Sequence, residues 1–381
     1  MNVFKIATFL EFGNKGLFDI PVKKQKAYLK SLGEAKDDID RSYKQFLCQN
    51  LFVPNWKKVL WFIVSVCAIP FAIVIFMTKG LFVKFERQVD TIGENRGMPE
   101  IIPVELSQRY DINFDIWNAG TGLQYKDIRF LFCSIIGWKQ PYFILKMILL
   151  LAKYSPMVVK YHPKRIIEYS EYSFGSSAIT DYIHYSVVKH INVQHGEKLY
   201  NIRDSFFHYD ECFVWHEHYV RLLTDMKAEE SQFRIAVPPS LKIDTKAHLN
   251  RSCYADYKYY LAADNEQEIK SIVEAMAFVK HEGKSVKYRI HPRYTDLDVL
   301  KKYVPEEEIE LPTQVNILDS ISNMEYAVGS FSTVLLQAHL SGKKVILNDV
   351  TFPKRYLQLK EYGYILAKDE FAKLSNKQKI S

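Results

Sequence analysis

Two runs, Tyr288-Arg289-Ile290-His291-Pro292-Arg293 and Gly329-Ser330-Phe331-Ser332-Thr333-Val334-Leu335-Leu336-Gln337-Ala338-His339-Leu340-Ser341-Gly342-Lys343-Lys344-Val345-Ile346-Leu347, decide how this chain is read. The first reads as a strand that ends in a polar His-Pro loop. The second reads as a hydroxyl-rich turn, a short apolar helix, a glycine stop and another apolar strand. In an open α/β sheet, ligands bind beyond the carboxyl ends of the strands. A helix start with Ser and Thr hydroxyls favours an anion such as phosphate. His291, Arg289 and Arg293 would add donors and charge beside Ser330, Ser332 and Thr333. A plainer reading makes Ser332 or Thr333 a helix cap and nothing more.

Working outward, strand-like and helix-like runs alternate on both sides. Tyr257-Lys258-Tyr259-Tyr260-Leu261-Ala262 reads as a strand, Glu266 to Glu282 as an amphipathic helix, Leu318 to Met324 as a short helix and Tyr326 to Gly329 as a strand. Upstream, Arg165 to Glu171 reads as a strand, Ala178 to His190 as a helix, Ile191 to Glu197 and Cys212 to His216 as strands, and Glu217 to Met226 as a helix. Pro238-Pro239 reads as a linker. The expected fold is therefore α/β, with two Rossmann-like domains facing a cleft: an acceptor-side domain over 80–238 and a nucleotide-binding domain over 240–367. The basic end from Lys368 to Ser381 reads as a helix or a tail.

Before these domains lies a basic helical region, 1–58, and a hydrophobic segment, 59–78. Val59 to Thr78 carries no charge and is flanked by Lys57, Lys58 and Lys79, with Trp56 and Trp61 near one end. Such a segment is long enough to cross a bilayer, with flanks of interfacial type. The alternative is a core helix or buried strand pair. The Lys-rich N-terminal region argues for a cytoplasmic N-terminus, and a single span would then place both domains outside. A hairpin bent at Pro70 keeps both ends inside, and is the expected form. Phe143 to Val159 and Ile128 to Ile136 are further apolar runs, the former read as an amphipathic or membrane-facing helix more than a span.

The 381 residues carry a net charge of +7, which suits an anionic ligand or lipid surface and gives no case for nucleic acid. Five scattered cysteines with no CxxC pair exclude a zinc or disulfide framework and fit a reducing compartment. No secretory signal is read at the start.

The His-Pro pair, the Ser-x-Ser/Thr turn and the Leu335-to-Ile346 helix-and-strand resemble bacterial capsule and lipooligosaccharide sialyltransferases and polysialyltransferases, with the CDP-glycerol polymer transferases as relatives. The resemblance is strongest over 257–350. It implies the GT-B architecture and a metal-independent glycosyltransferase with no cofactor beyond its nucleotide-sugar donor, CMP-linked. His291, Ser330, Ser332 and Thr333 would contact the nucleotide. The acceptor would be a polysaccharide or glycolipid, and the site the cytoplasmic face of a bacterial inner membrane. The acidic-acidic-glycine motif that supplies the family's general base is missing here. Its nearest substitutes are Glu168, Glu171, His195 and Glu197, each also readable as a surface or core residue. No DxD pair is read at a strand end, so no metal is expected. Two other functions remain open: transfer of a polyol phosphate from a CDP-linked donor, and non-catalytic nucleotide binding in polysaccharide export.

Overall fold

A computed structural model of the protein describes residues 15–94, 98–135, 137 and 140–378. The first fourteen residues of the basic region, Ile136, and the last three residues of the Lys368–Ser381 run lie outside the described set. The chain divides into two compact units. One comprises the described residues through His195 together with Tyr200–Val237, and the other comprises Gly196–Leu199 and the described residues from Pro238 onward.

Each unit is built on one six-stranded sheet, and every strand pairing in both is parallel. The first sheet holds β1 (Thr91–Gly93), β2 (Ile112–Asn113), β3 (Arg165–Glu168), β4 (Lys189–Val193), β5 (Glu211–Val214) and β6 (Phe233–Ile235), in the order β2-β1-β3-β4-β5-β6. Successive side chains of β3 point to opposite faces: Ile166 joins the core beneath helices Asp38–Asn50, Pro141–Tyr161 and Ser176–His184, while Ile167 joins Ile191, Val193 and Phe213 on the other face. A sheet covered on both faces is what all-parallel pairing demands.

The second sheet holds β7 (Ala255–Tyr260), β8 (Val286–Arg289), β9 (Ile309–Glu310), β10 (Met324–Gly329), β11 (Lys344–Leu347) and β12 (Ala372–Lys373), in the order β12-β11-β10-β7-β8-β9. Counted within the unit, this is the doubly wound order 3-2-1-4-5-6 of dinucleotide-binding folds. The chain winds outward from β7 through β8 to β9, returns to the far side of β7 as β10, and continues to β11 and β12. The reversal opens a crevice between the carboxyl ends of β7 and β10.

Several boundaries differ from expectation. The helix read to His190 stops at His184, because Val187 takes a left-handed backbone (φ 58°) and Lys189 and His190 already belong to β4. The helix read over Glu266–Glu282 begins with an Asn265/Glu268 capping box and breaks at Met276 into Glu266–Ala275 and Ala277–His281. Met324 belongs to β10 rather than to the preceding helix, which ends at Ser322. The C-terminal run supplies edge strand β12 and the helix Leu374–Gln378, with Leu374 wholly buried.

The hydrophobic segment is one unbroken helix, Asn55–Gly80, rather than a hairpin. Pro70 removes one helical hydrogen bond, but Ile69, Ala72, Ile73 and Phe76 pack on the core to either side of it and carry the helix through. Among the described residues, two helices, Asn55–Gly80 and Pro141–Tyr161, are long and apolar enough to cross a membrane by length and composition. They differ in cover: the apolar window of the first is 11% buried, that of the second 61%. The Phe143–Val159 run is thus a core helix of the first unit, with Phe143, Met147, Leu151 and Met157 sealed, and its expected membrane-facing role does not hold for that face.

Candidate functional site

In the second unit, four strand ends converge at the crevice. Beyond β7, the Ala262 amide donates to Asp264 Oδ2 at 2.7 Å. Beyond β8, the His291 amide donates to Thr295 Oγ1 at 2.8 Å, and that hydroxyl donates to the Ala262 carbonyl at 3.0 Å. Thr295 thus clasps the His291 loop to the β7 loop. Beyond β10, Ser330 lies beside the buried Tyr259 phenol and moderates its raised pKa. Beyond β11, Asn348 Nδ2 donates to the same phenol at 2.8 Å, and the Asn348 amide donates to the Gly329 carbonyl at 2.9 Å.

His291 is half-buried, and its ring stacks on Tyr294 with centroids 4.5 Å apart. The Arg293 amide donates to its Nδ1 at 3.2 Å. In the neutral ring the proton is therefore on Nε2, which is left to donate to a ligand. Burial, and then the Arg293 charge, push the His291 pKa below its ordinary value. At pH 7 the ring acts as a neutral donor, not as a cation.

Ser332 is the N-cap of the helix Thr333–Leu340: its Oγ accepts the Val334 amide at 3.2 Å. The plainer reading of Ser332 is thus realised, and an anion at the same helix start would share the dipole that the cap serves. Thr333 is exposed at the first helical position.

The remaining basic candidates separate. Arg293 is exposed, but Arg289 is buried and its guanidinium donates to Glu310 Oε1 at 2.7 Å and to the Val315 carbonyl at 2.9 Å. Glu310 also accepts from buried Lys258 at 2.6 Å. Burial raises the Glu310 pKa, yet the Lys258 charge and hydrogen bonds from Lys258, Ser320 and Arg289 together lower it and keep the carboxyl ionised. Arg289 is therefore a member of a buried ion triad, and its assignment as a nucleotide contact is corrected.

In the first unit, Glu168 ends β3 but is 1% exposed. It accepts from the Tyr154 hydroxyl and, at 3.2 Å, from the Tyr209 hydroxyl. His190 Nε2 lies 3.1 Å away, and Thr180 Oγ1 holds the other side of that ring at 2.7 Å. Burial raises the Glu168 pKa, but His190, Lys153 and the Tyr154 hydroxyl together lower it below its ordinary value. A carboxylate enclosed this way orders the core and does not reach an acceptor, so its catalytic assignment is also corrected. Neither Glu168 nor Glu171 is a surface residue.

Glu171 and His195 form a different arrangement. Glu171 is 2% exposed and accepts from Asn192 Nδ2 at 3.3 Å. His195 Nδ1 lies 3.5 Å from Glu171 Oε1, while 37% of its side chain is exposed. Tyr169 and Tyr172 flank the ring at 4.9 and 6.2 Å. His195 thus stands open beyond the end of β4, with a buried carboxylate near one ring nitrogen. Glu197 belongs to the second unit, where its charge adds to burial in raising the pKa of Tyr364, whose hydroxyl donates to the Ser332 carbonyl at 3.4 Å. His216 caps the helix Glu217–Asp225 through Nδ1, which accepts the His218 amide at 3.0 Å. Asp349 likewise caps, accepting the Ser375 amide at 2.9 Å.

Sequence reading missed Thr295, Tyr259, Asn348, Asp264 and Arg355. Asp264 is buried, its pKa raised by that burial, and Arg355 acts on both it and Tyr259. The available signal was position: each of the first four falls within a few residues of a strand's carboxyl end. Among the described residues, no group of three or more His, Cys, Asp or Glu side chains gathers as a metal ion would require.

No family model and no curated protein sequence matches this chain. Solved structures similar to this chain include UDP-GlcNAc 2-epimerase of Methanocaldococcus jannaschii in complex with UDP-GlcNAc and UDP, at 14% identity over 68% of this chain and 83% of that one, TM-score 0.40. A glycosyltransferase of kitacinnamycin is similar at 8% identity over 77% and 86%, TM-score 0.43. A lipopolysaccharide outer core galactosyltransferase in its apo form is similar at 11% identity over 69% and 80%, TM-score 0.36. At these values the likeness adds nothing to the architecture that the two sheets establish by themselves.

Proposed function

We propose that this chain is a glycosyltransferase that takes a nucleotide-activated sugar, CMP-linked and acidic, and extends a bacterial surface polysaccharide at the cytoplasmic face of the membrane. The observation that carries the reading is the crevice of the second unit. There a 3-2-1-4-5-6 sheet reverses between β7 and β10, and a neutral His291 with Nε2–H available stands at one strand end and a capped helix start at another.

The reading assigns the donor to the second unit and proton removal to the first. An acceptor hydroxyl attacks the anomeric carbon, the carbon–oxygen bond to phosphate breaks, and the nucleotide leaves with the electron pair. His195 takes the hydroxyl proton, and Glu171 steadies the imidazolium that forms. On the leaving side, His291 Nε2–H, the Thr333 hydroxyl and the helix N-terminus meet the negative charge that develops on phosphate. No step calls for a metal ion.

The test is nucleotide release by the purified protein with CMP-sialic acid, CMP-Kdo, CDP-glycerol and UDP-GlcNAc in turn. Release from a CMP-linked sugar, enhanced by a polysaccharide acceptor, is expected. Turnover of CDP-glycerol alone would replace this reading with polyol-phosphate transfer. Neither turnover nor nucleotide binding with any donor would remove the enzyme altogether.

A further inference from the structure

The two faces of the Asn55–Gly80 helix are covered differently. On one face Trp61, Ser65, Ile69, Ala72, Ile73 and Phe76 recur at three- to four-residue spacing and lie against the first unit. The Trp61 ring stacks on Tyr142 with centroids 4.3 Å apart. At the other end the Leu123 amide donates to the Phe76 carbonyl at 2.8 Å, and Gln124 Nε2 donates to the Gly80 carbonyl at 2.8 Å. There Gly80 and Gly122 touch backbone to backbone: a Cβ on Gly80 would sit 1.9 Å from the Leu123 carbonyl oxygen. The helix, about 39 Å long at 1.5 Å per residue, is thus fastened to a folded domain from end to end.

The opposite face is bare. Phe62, Ile63, Val66, Phe71, Val74 and Ile75 are each 50–69% exposed, and Leu81, Phe82 and Phe85 continue the surface at 57–80%. An exposed apolar surface of this extent marks an interaction site. No Asp or Glu occurs from Asn55 to Phe85, while Lys58, Lys79 and Lys84 border the stripe. That charge pattern disfavours a second copy of the same positive surface and matches an anionic lipid. A crossing helix needs lipid or membrane-embedded protein on every side over about 20 residues. Here crossing would draw the core beneath the helix into the hydrocarbon.

We propose that this helix lies in the plane of an anionic phospholipid bilayer, with its bare face among the acyl chains, and anchors the protein from one side without crossing. The chain on either side of the helix then stays on the same side of the bilayer, which removes the orientation conflict posed by the charge distribution. The anchor stands independently of the donor chemistry.

Depth measurement tests it. Cys67 and Cys133 are the exposed thiols, and Cys48, Cys212 and Cys253 are buried. In a Cys133→Ser background, single cysteines at Val59 or Met77 (each with Cys67→Ser), or at Cys67 itself, are labelled with an environment-sensitive fluorophore. The labelled protein is bound to vesicles of phosphatidylcholine and phosphatidylglycerol and quenched by lipids spin-labelled at two depths. An in-plane helix places all three labels at one shallow depth. A spanning helix places Cys67 deeper than Val59 by roughly 12 Å and deeper than Met77 by roughly 15 Å, at 1.5 Å per residue, and would overturn the proposal. Phe71→Glu with Val74→Glu, both at exposed positions, should weaken binding to these vesicles at least tenfold and leave nucleotide affinity unchanged. Wild-type protein that ignores anionic vesicles, or that covers this face by forming a dimer which the double variant abolishes, would also overturn it.

Discussion

In the second unit the sheet reverses between β7 and β10, and the groups there keep part of their surface open: His291 is half-buried and Thr333 is exposed. In the first unit the reversal lies between β1 and β3, and Glu168, at the end of β3, is sealed beneath two tyrosines and a histidine. Both units follow the same winding principle, yet among the described residues the second crevice is polar and accessible at the strand end itself, whereas Glu168 at the end of β3 is sealed. In the first unit the accessible group is displaced one strand over, to His195 beyond β4, with Glu171 behind it. The difference teaches that position at a carboxyl edge selects candidates, and burial then sorts them. A charge that is fully enclosed and fully paired holds the sheet together, whereas a charge enclosed behind an open ring can tune that ring.

The sealed groups offer the largest effect. Glu168→Ala leaves His190 and two buried hydroxyls without their partner, and breaking a buried pair costs about 3–5 kcal/mol. Arg289→Ala should cost a similar amount in the second unit by leaving Glu310 with Lys258 alone. Urea unfolding reads both. The comparison breaks if Glu168→Gln unfolds like wild type yet abolishes turnover, because Glu168 would then be acting on substrate.

Next comes His195. Loss of a positioned base should lower turnover by about 10²–10⁴-fold, with nucleotide affinity and unfolding midpoint unchanged. Glu171→Gln should give a smaller loss of turnover, since the imidazolium formed during proton transfer would lose its counter-charge. An unaltered rate in His195→Ala would leave the first unit without an assigned base.

Much of this division was legible in the chain. Alternating strand and helix runs, the Pro238-Pro239 break and the Ser332 cap are local signals, and each is written in residues that do their work within a few positions. What the sequence concealed is pairing across distance. Arg289 looks like a ligand contact beside His291 until Glu310, 21 residues on, takes its guanidinium. Glu168 looks available until Tyr154, Tyr209 and His190 close over it. Pro70 reads as a bend because its effect on the backbone is local, whereas the packing of Ile69, Ile73 and Phe76 that overrides it comes from the fold.

A smaller effect is expected at His291. Its Nε2–H would donate to a charged phosphate, so His291→Ala should weaken nucleotide binding by about 1.5–3 kcal/mol. The pH dependence has a definite sign. Burial and Arg293 depress the folded-state pKa, so below the ordinary value of about 6.5 the unfolded chain takes up the proton first and stability falls as pH falls. A bound phosphate favours the charged ring, so affinity should rise over the same interval and stay flat above it. Calorimetric titration across pH, with His291→Gln as the reference that removes the phosphate's own titration, reads the slope. Equal slopes in the two proteins would separate His291 from the phosphate.

The smallest effects separate the cap from the ligand contact. Ser332→Ala removes the acceptor of the Val334 amide and should cost about 1 kcal/mol of stability, as N-cap losses do. Thr333→Ala, exposed and one position inside the helix, should stay within about 0.5 kcal/mol of wild type. Binding should follow the opposite ranking, because Thr333 is exposed to a ligand while Ser332 is half-buried and held in place by the cap. If Ser332→Ala loses nucleotide affinity and Thr333→Ala does not, the phosphate sits over the cap. The open crevice would then begin one residue nearer β10, still on the same unit and at the same reversal of the sheet.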